Sequence, residues 1–216
     1  MNTIDTIIFD LGGVLYDIDV DHTARAFTEM GAGEINMEAL HKSMHEEHIY
    51  EGLDTGRLSP AGFRDEIRRL TGMPLSDEQV DAAWNALLVE FPARRVKMML
   101  SLRKNYRLLL LSNTNAIHFD YYSKHFETDY GIPFESLFDK AYYSFRIGLC
   151  KPDPGIYRHV ITDSKLEPEK AVFIDDLFVN VEAARKTGLK AIHLNGIPDV
   201  TDLFRDNRLD TRFLKS

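Results

Sequence analysis

The sequence predicts an α/β fold, a parallel sheet covered by helices and interrupted by one long helical insertion. Three observations predict it. From residue 92 onward, short apolar runs alternate with helix-patterned segments, as in a parallel sheet buried on both faces. A further run of this kind, Thr6 to Phe9, lies far upstream, across helix-patterned residues 17–91. Three of the runs end in polar clusters: Asp10, Ser112-Asn113 and Asp175-Asp176. In open α/β sheets ligands bind beyond the carboxyl ends of the strands, so the clusters predict one shared site with the insertion above it as a cap.

The elements follow in order. Thr6 to Phe9 is β-branched and aromatic and stops at the glycine turn Gly12-Gly13. Within 17–91, Ser59-Pro60 starts a helix, with Ser59 as N-cap and Pro60 at the first helical position. Ser76 and Gln79 form a capping box ahead of Val80, Ala83, Trp84, Leu87 and Leu88 at helical spacing. Pro92 closes the block, and the whole of 17–91 reads as helical. Residues 93–105 are helical, Arg107 to Leu111 is a strand before Ser112-Asn113-Thr114-Asn115, and another helix follows. Residues 141–144 form a strand, 154–163 a helix, 171–174 a strand ending at Asp175-Asp176, 179–187 a helix and 191–194 the last strand. The tail, 197–216, reads as helical packing. The expected division is therefore a core of 1–16 and 92–216 with a cap of 17–91.

Composition narrows the function. With 216 residues, 44% hydrophobic and 28% charged, the chain is an ordinary globular protein rather than a disordered one. A single cysteine, Cys150, excludes a disulfide framework and a cysteine zinc site, and points to a reducing compartment. The balance of 26 Lys and Arg against 34 Asp and Glu gives a net charge of −8 and argues against nucleic acid or an anionic membrane as partner. Met1-Asn2-Thr3-Ile4-Asp5 has no basic targeting stretch, and no apolar run approaches membrane-spanning length. The expectation is a soluble cytoplasmic protein with a small-molecule ligand.

Residues 7–15, two hydrophobics before Asp10-Leu11-Gly12-Gly13-Val14-Leu15, resemble the first motif of the haloacid dehalogenase (HAD) superfamily. Ser112-Asn113 resembles the second, Lys151 within Gly148 to Pro154 the third, and Phe173 to Ala184, containing Asp175-Asp176, the fourth. All four stand in the family order. The resemblance implies a Rossmann-like core, and the insertion resembles the helical caps found between motifs one and two. Asp-x-Gly, Ser-Asn-Thr-Asn-x-x-His and Lys-Pro together resemble the small sugar phosphatases acting on α-glucose 1-phosphate.

The resemblance implies a magnesium-dependent phosphatase for a small phosphate monoester such as a hexose 1-phosphate. Asp10 would attack phosphorus to give an aspartyl-phosphate, dividing one hard displacement into two. Mg²⁺, which prefers oxygen ligands, would take Asp10, the Gly12 backbone carbonyl and Asp176, with Asp175 orienting a water. Lys151, Ser112 and Asn113 would hold the phosphate at a helix start. Asn180 reads either as a contact to a metal-bound water or as an exposed helix residue.

One position departs from the pattern. Most family phosphatases carry a second Asp two residues after the nucleophile to protonate the leaving oxygen, and here Gly12 stands there. A general acid is worth roughly 10²–10⁴-fold. Three options follow: the leaving group is relatively acidic, as an anomeric hydroxyl is; a substitute acts, with His118 and the cap residue Glu51 as candidates; or activity is weak. Tyr50 and Arg57 are further candidates to face the leaving group. Gly12 argues against a phosphoglucomutase. Two alternatives stay open: a metal-free 2-haloacid dehalogenase, and a non-catalytic sensor of a phosphorylated metabolite.

Other patterns carry less. Asp17-Ile18-Asp19-Val20-Asp21 imitates a calcium loop but has His22 where glycine is required. His45 and His48 are three rather than four apart, unlike zinc proteases. Gly31-Ala32-Gly33 reads as a helix stop, and Trp84 as core packing within the cap.

Overall fold

The computed structural model describes residues 4–30 and 36–215. Gly31-Ala32-Gly33 lies outside them. The elements in chain order are β1 (Thr6–Phe9), β2 (Asp17–Ile18), α1 (Val20–Met30), α2 (Met37–Glu46), α3 (Ile49–Asp54), α4 (Pro60–Thr71), α5 (Asp77–Asn85), β3 (Leu88–Glu90), α6 (Ala93–Leu102), β4 (Arg107–Ser112), α7 (Ala116–Tyr130), β5 (Lys140–Tyr143), α8 (Ser144–Ile147), α9 (Pro154–Asp163), β6 (Ala171–Asp175), α10 (Phe178–Arg185), β7 (Lys190–His193), β8 (Phe204–Arg205) and β9 (Arg208–Leu209).

Five strands form one parallel sheet in the order β5-β4-β1-β6-β7. The alternation of side chains along each strand sorts the core. Ile7 and Phe9, Leu108 and Leu110, and Val172 and Ile174 face one way, onto Val96, Met99 and Leu102 of α6 and Tyr122 and Phe126 of α7. Ile8, Leu109, Leu111 and Phe173 face the other way, onto Ile156, Tyr157 and Val160 of α9 and Val181 and Ala184 of α10. Strand β1 sits in the middle because every one of its side chains is buried.

A third cluster holds the cap helices together: Phe27, Leu40, Met44, Leu53, Phe63, Ile67, Val80 and Trp84. Ile117 of α7 joins it, so the cap rests on the core. Ser59 caps α4 by accepting from the Gly62 amide, and the reciprocal Ser76–Gln79 capping box opens α5.

Two expectations need correction. Residues 17–91 are not helical throughout, because β2 and β3 pair antiparallel into a ribbon through which the chain enters and leaves the cap. Both strands are short, and Ile18 and Val89 are exposed, so neither shows the periodicity that marks a strand from sequence. The tail is not a packed helix either. It holds short 3₁₀ turns and the hairpin β8–β9, whose turn residues Asp206 and Asn207 both have positive φ, 50° and 59°, as a tight two-residue hairpin turn requires. Among the described residues no helix is long and apolar enough to cross a membrane.

Candidate active site

The three central strands end side by side, β4 at Ser112, β1 just before Asp10 and β6 at Asp175. The Asp10 amide donates to the Ile174 carbonyl at 3.0 Å, which extends the β1–β6 ladder to the carboxylate itself. Its Oδ1 accepts from the Leu11 amide at 2.7 Å. The chain then doubles back, with the amides of Leu15 and Tyr16 both on the Leu11 carbonyl.

Lys151 reaches the same point from the loop before α9. Its Nζ lies 2.7 Å from Asp10 Oδ1 and 2.7 Å from Asp175 Oδ2, with only 1% of the side chain exposed. The Asn113 side chain fixes this lysine: its Nδ2 donates to the Lys151 carbonyl at 2.9 Å and its Oδ1 accepts from the Lys151 amide at 2.8 Å. The Asn113 side chain is thus spent on placing the lysine, which leaves its backbone amide for any anion. Ser112 is buried at the strand end. Thr114 is held by both its amide and its carbonyl to the Ser144 hydroxyl at 2.9 Å.

Asp175 is fully buried, and its oxygens accept from Lys151, from the Leu177 amide at 2.8 Å and from Asn180 Nδ2 at 3.0 Å. Asn180 is buried too, so the exposed reading of that residue does not hold. Oxygens of Asp10, Asp175 and Asp176 lie within 4.8 Å of one another, the one group of potential metal-binding side chains among the described residues. Gly13, with φ +73°, passes directly beneath Asp176, and a Cβ there would lie 2.4 Å from Asp176 Oδ2. At Gly12 a Cβ would meet only the Ile18 side chain, Cδ1 at 3.4 Å and Cγ2 at 3.7 Å.

Burial pushes the Asp10 carboxyl up to about 7 against the pull of Lys151. Burial also raises Asp176, with the neighbouring Asp175 adding to it. For Lys151, burial works against the ammonium, but Asp10 and Asp175 outweigh it and hold its pKa above the usual value. Three crowded acids with one ammonium leave negative charge that a divalent cation neutralises.

The candidate substitutes for the missing acid lie elsewhere. His118 is buried in a stack on Trp84, with centroids 5.1 Å apart, and its Nδ1 meets Asn85 Oδ1 at 2.9 Å. Burial depresses its pKa to about 3, so it is a neutral ring at the joint between cap and core. Trp84 packs across that joint rather than only within the cap. Glu51 is exposed and bonded to Arg57, which with His48 lowers its pKa. Tyr50 stacks between His41 and Trp84.

A carboxylate that sequence reasoning passed over is Asp54, at the end of α3. Its Oδ1 accepts from Asn115 Nδ2 at 3.2 Å, across the boundary between cap and core. Asn115 itself caps α7 by accepting from the His118 amide. The only signal in the sequence was a carboxylate just before the Thr55-Gly56 turn.

Comparison with known proteins agrees with this geometry. A D-ribitol-5-phosphate phosphatase from Bacteroides thetaiotaomicron is 33% identical over 187 residues, covering 87% of this chain and 90% of that protein. A phosphorylated carbohydrates phosphatase from Thermotoga maritima is 25% identical over 190 residues, 88% of this chain and 84% of its own. A HAD-family enzyme from Bacteroides thetaiotaomicron, solved with magnesium and inorganic phosphate, superposes with a TM-score of 0.83 at 33% identity, covering 94% of this chain and all of that one. The L-2-haloacid dehalogenase of Xanthobacter autotrophicus, at 19% identity over 88% of this chain and 77% of its own, shares the fold with a TM-score of 0.60. The family model for haloacid dehalogenase-like hydrolases matches residues 4–188, a span containing every one of the strand-end residues described above. The chain therefore belongs to the haloacid dehalogenase-like hydrolase family.

Proposed function

We propose that the protein is a cytoplasmic, magnesium-dependent phosphomonoesterase acting on a small phosphorylated sugar or polyol. The convergence of Asp10, Asp175 and Asp176 around Lys151 carries this reading. The donors fit the metal. All are hard carboxylate oxygens, as Mg²⁺ prefers, and the bare Gly13 backbone leaves room for Asp176 that any side chain would fill. Asp10, Asp176 and the Gly12 carbonyl would hold the ion, with Asp175 behind them. Once bound, Mg²⁺ offsets the charge of the phosphate oxygens and of the acids.

The chain's own groups do the rest. Asp10, fixed by the Leu11 amide and Lys151, presents a carboxylate oxygen in line with phosphorus and forms the aspartyl-phosphate. Lys151 offsets charge on the transferring group, and its clasp by Asn113 keeps it in place. Ser112 and the backbone amide of Asn113 hydrogen-bond phosphate oxygens near the start of α7. Water then hydrolyses the acyl phosphate.

The relative acting on ribitol 5-phosphate supports a primary-alcohol ester, and a hexose 1-phosphate is the other substrate of the same chemistry. A dehalogenase needs no metal, so the acid triad favours phosphate. The test is phosphate release from a panel of pentitol, pentose and hexose phosphates, with Mg²⁺ and with EDTA. Magnesium-dependent release lost in Asp10→Asn is expected. Release that survives both EDTA and Asp10→Asn, or halide release from 2-chloropropionate without magnesium, refutes the proposal.

A further inference from the structure

An alkoxide is a poor leaving group, and Gly12 carries no side chain to protonate it. Asp54 is the cap carboxylate hydrogen-bonded to the polar turn after β4: Asn115, its partner, stands three residues after Ser112. Its other oxygen, Oδ2, accepts no hydrogen bond among the described residues. The cap loop is pressed against the core here, since a Cβ on Gly56 would lie 2.4 Å from the Phe145 carbonyl oxygen. Asp54 also lies within electrostatic reach of the loop carrying Lys151, because after burial its charge contributes most to raising the Cys150 thiol pKa. Glu51 and Arg57 reach that thiol as well, but they pair with each other. Burial lifts the Asp54 carboxyl from 3.8 to about 6, with only the Asn115 bond pulling it down. A carboxyl tuned to that range can both give and take a proton near neutrality.

We infer that Asp54 supplies the proton transfer that position 12 cannot, an inference that rests on the phosphatase reading above. As Asp10 attacks, the bond between phosphorus and the leaving oxygen breaks with its electron pair on oxygen, and the Asp54 carboxyl gives that oxygen its proton. In the second half, water adds to phosphorus, its proton passes to the Asp54 carboxylate, and orthophosphate and free Asp10 are released. The acid thus comes from the cap and is delivered only when the cap is seated on Asn115.

The test separates proton transfer from mere docking by leaving group. Wild type, Asp54→Asn, Asp54→Ser and Asp54→Glu are assayed with Mg²⁺ on ribitol 5-phosphate and on p-nitrophenyl phosphate, whose phenolate departs without a proton. Asp54→Asn and Asp54→Ser are expected to lose ~10²–10⁴-fold in kcat/KM on the alkyl ester and to keep the wild-type value on the aryl ester. On the aryl ester they release a burst of nitrophenolate equal to the enzyme present and then slow, because the second half still needs the base. Asp54→Glu restores part of the alkyl activity. Equal losses on both esters would make Asp54 a docking residue and overturn the inference, as would undiminished alkyl activity. A wild type inert on both esters and on the pentitol, pentose and hexose phosphate panel would instead defeat the phosphatase reading itself.

Discussion

Gly13→Ala separates two adjacent glycines that a sequence treats alike. The new methyl would lie 2.4 Å from Asp176 Oδ2, so the carboxylate must retreat by about 1 Å to reach ordinary contact. The backbone at φ +73° adds a left-handed penalty of roughly 1–2 kcal/mol. That cost is a sizeable part of the roughly 5–15 kcal/mol that stabilises a domain but less than the whole, so the fold survives, weakened. The metal site does not escape as easily: Mg²⁺ tolerates little departure from octahedral geometry, and disturbing the groups that orient metal ligands typically costs about 10–100-fold in affinity. Titration calorimetry of metal-free protein with Mg²⁺, beside urea unfolding, reads both effects. Gly12→Ala is the control, because its methyl meets only the Ile18 side chain, no nearer than 3.4 Å. Unchanged Mg²⁺ affinity in Gly13→Ala, or an equal loss in Gly12→Ala, would refute the placement of the ion against Asp176.

Three further outcomes follow from other parts of the molecule. His118 is held neutral with its pKa near 3, below the free value of 6.5, so the unfolded chain binds an extra proton between those values. Its contribution is complete above pH 6.5 and falls as pH drops, by at most about 1.4 kcal/mol per unit, so His118→Gln should flatten the acid limb of urea stability relative to wild type. Trp84→Ala, which empties a buried site between Phe63, Tyr50 and His118, should cost ~3–5 kcal/mol by the same measurement, and a loss under 1 kcal/mol would contradict that packing. Gly12→Asp placed in Asp54→Asn should return alkyl phosphatase activity, since position 12 has room for a Cβ; a steady-state assay showing none would argue that the aspartate cannot reach the leaving oxygen.

The sheet was legible because its signals are local. Ile7, Ile8 and Phe9 are apolar in succession, which only a strand buried on both faces tolerates, and each polar cluster directly follows such a run. Asp10 and the acid pair meet because β1 and β6 are parallel neighbours whose ends align, and Lys151 joins them from the loop before α9, although the sheet order differs from the sequence order. The cap ribbon was not legible. Asp17-Ile18 and Leu88–Glu90 are too short for a periodic signal, and their pairing spans the whole insertion. Asp54 escaped for the same reason: its partner Asn115 lies 61 positions away, and nothing near Asp54 announces the contact. The hairpin β8–β9 could have been read from Asp206-Asn207, a pair that tolerates the left-handed turn. The role of Asn113 depends on Lys151 lying in reach of its amide, which is a fact of the fold and not of the motif.

The ribbon of β2 and β3 brings the two junctions of the helical insertion together, with Asp17 opposite Glu90. The insertion still touches the core beyond the ribbon: Ile117 packs into the cap cluster, Trp84 stacks on His118, and Asp54 accepts from Asn115. Arg95, bonded to Asp17 on one side and Asp199 on the other, anchors the ribbon to the main body. The sheet carries the strand-end carboxylates and the insertion carries Asp54, so an exchange of the insertion would exchange that acid as well.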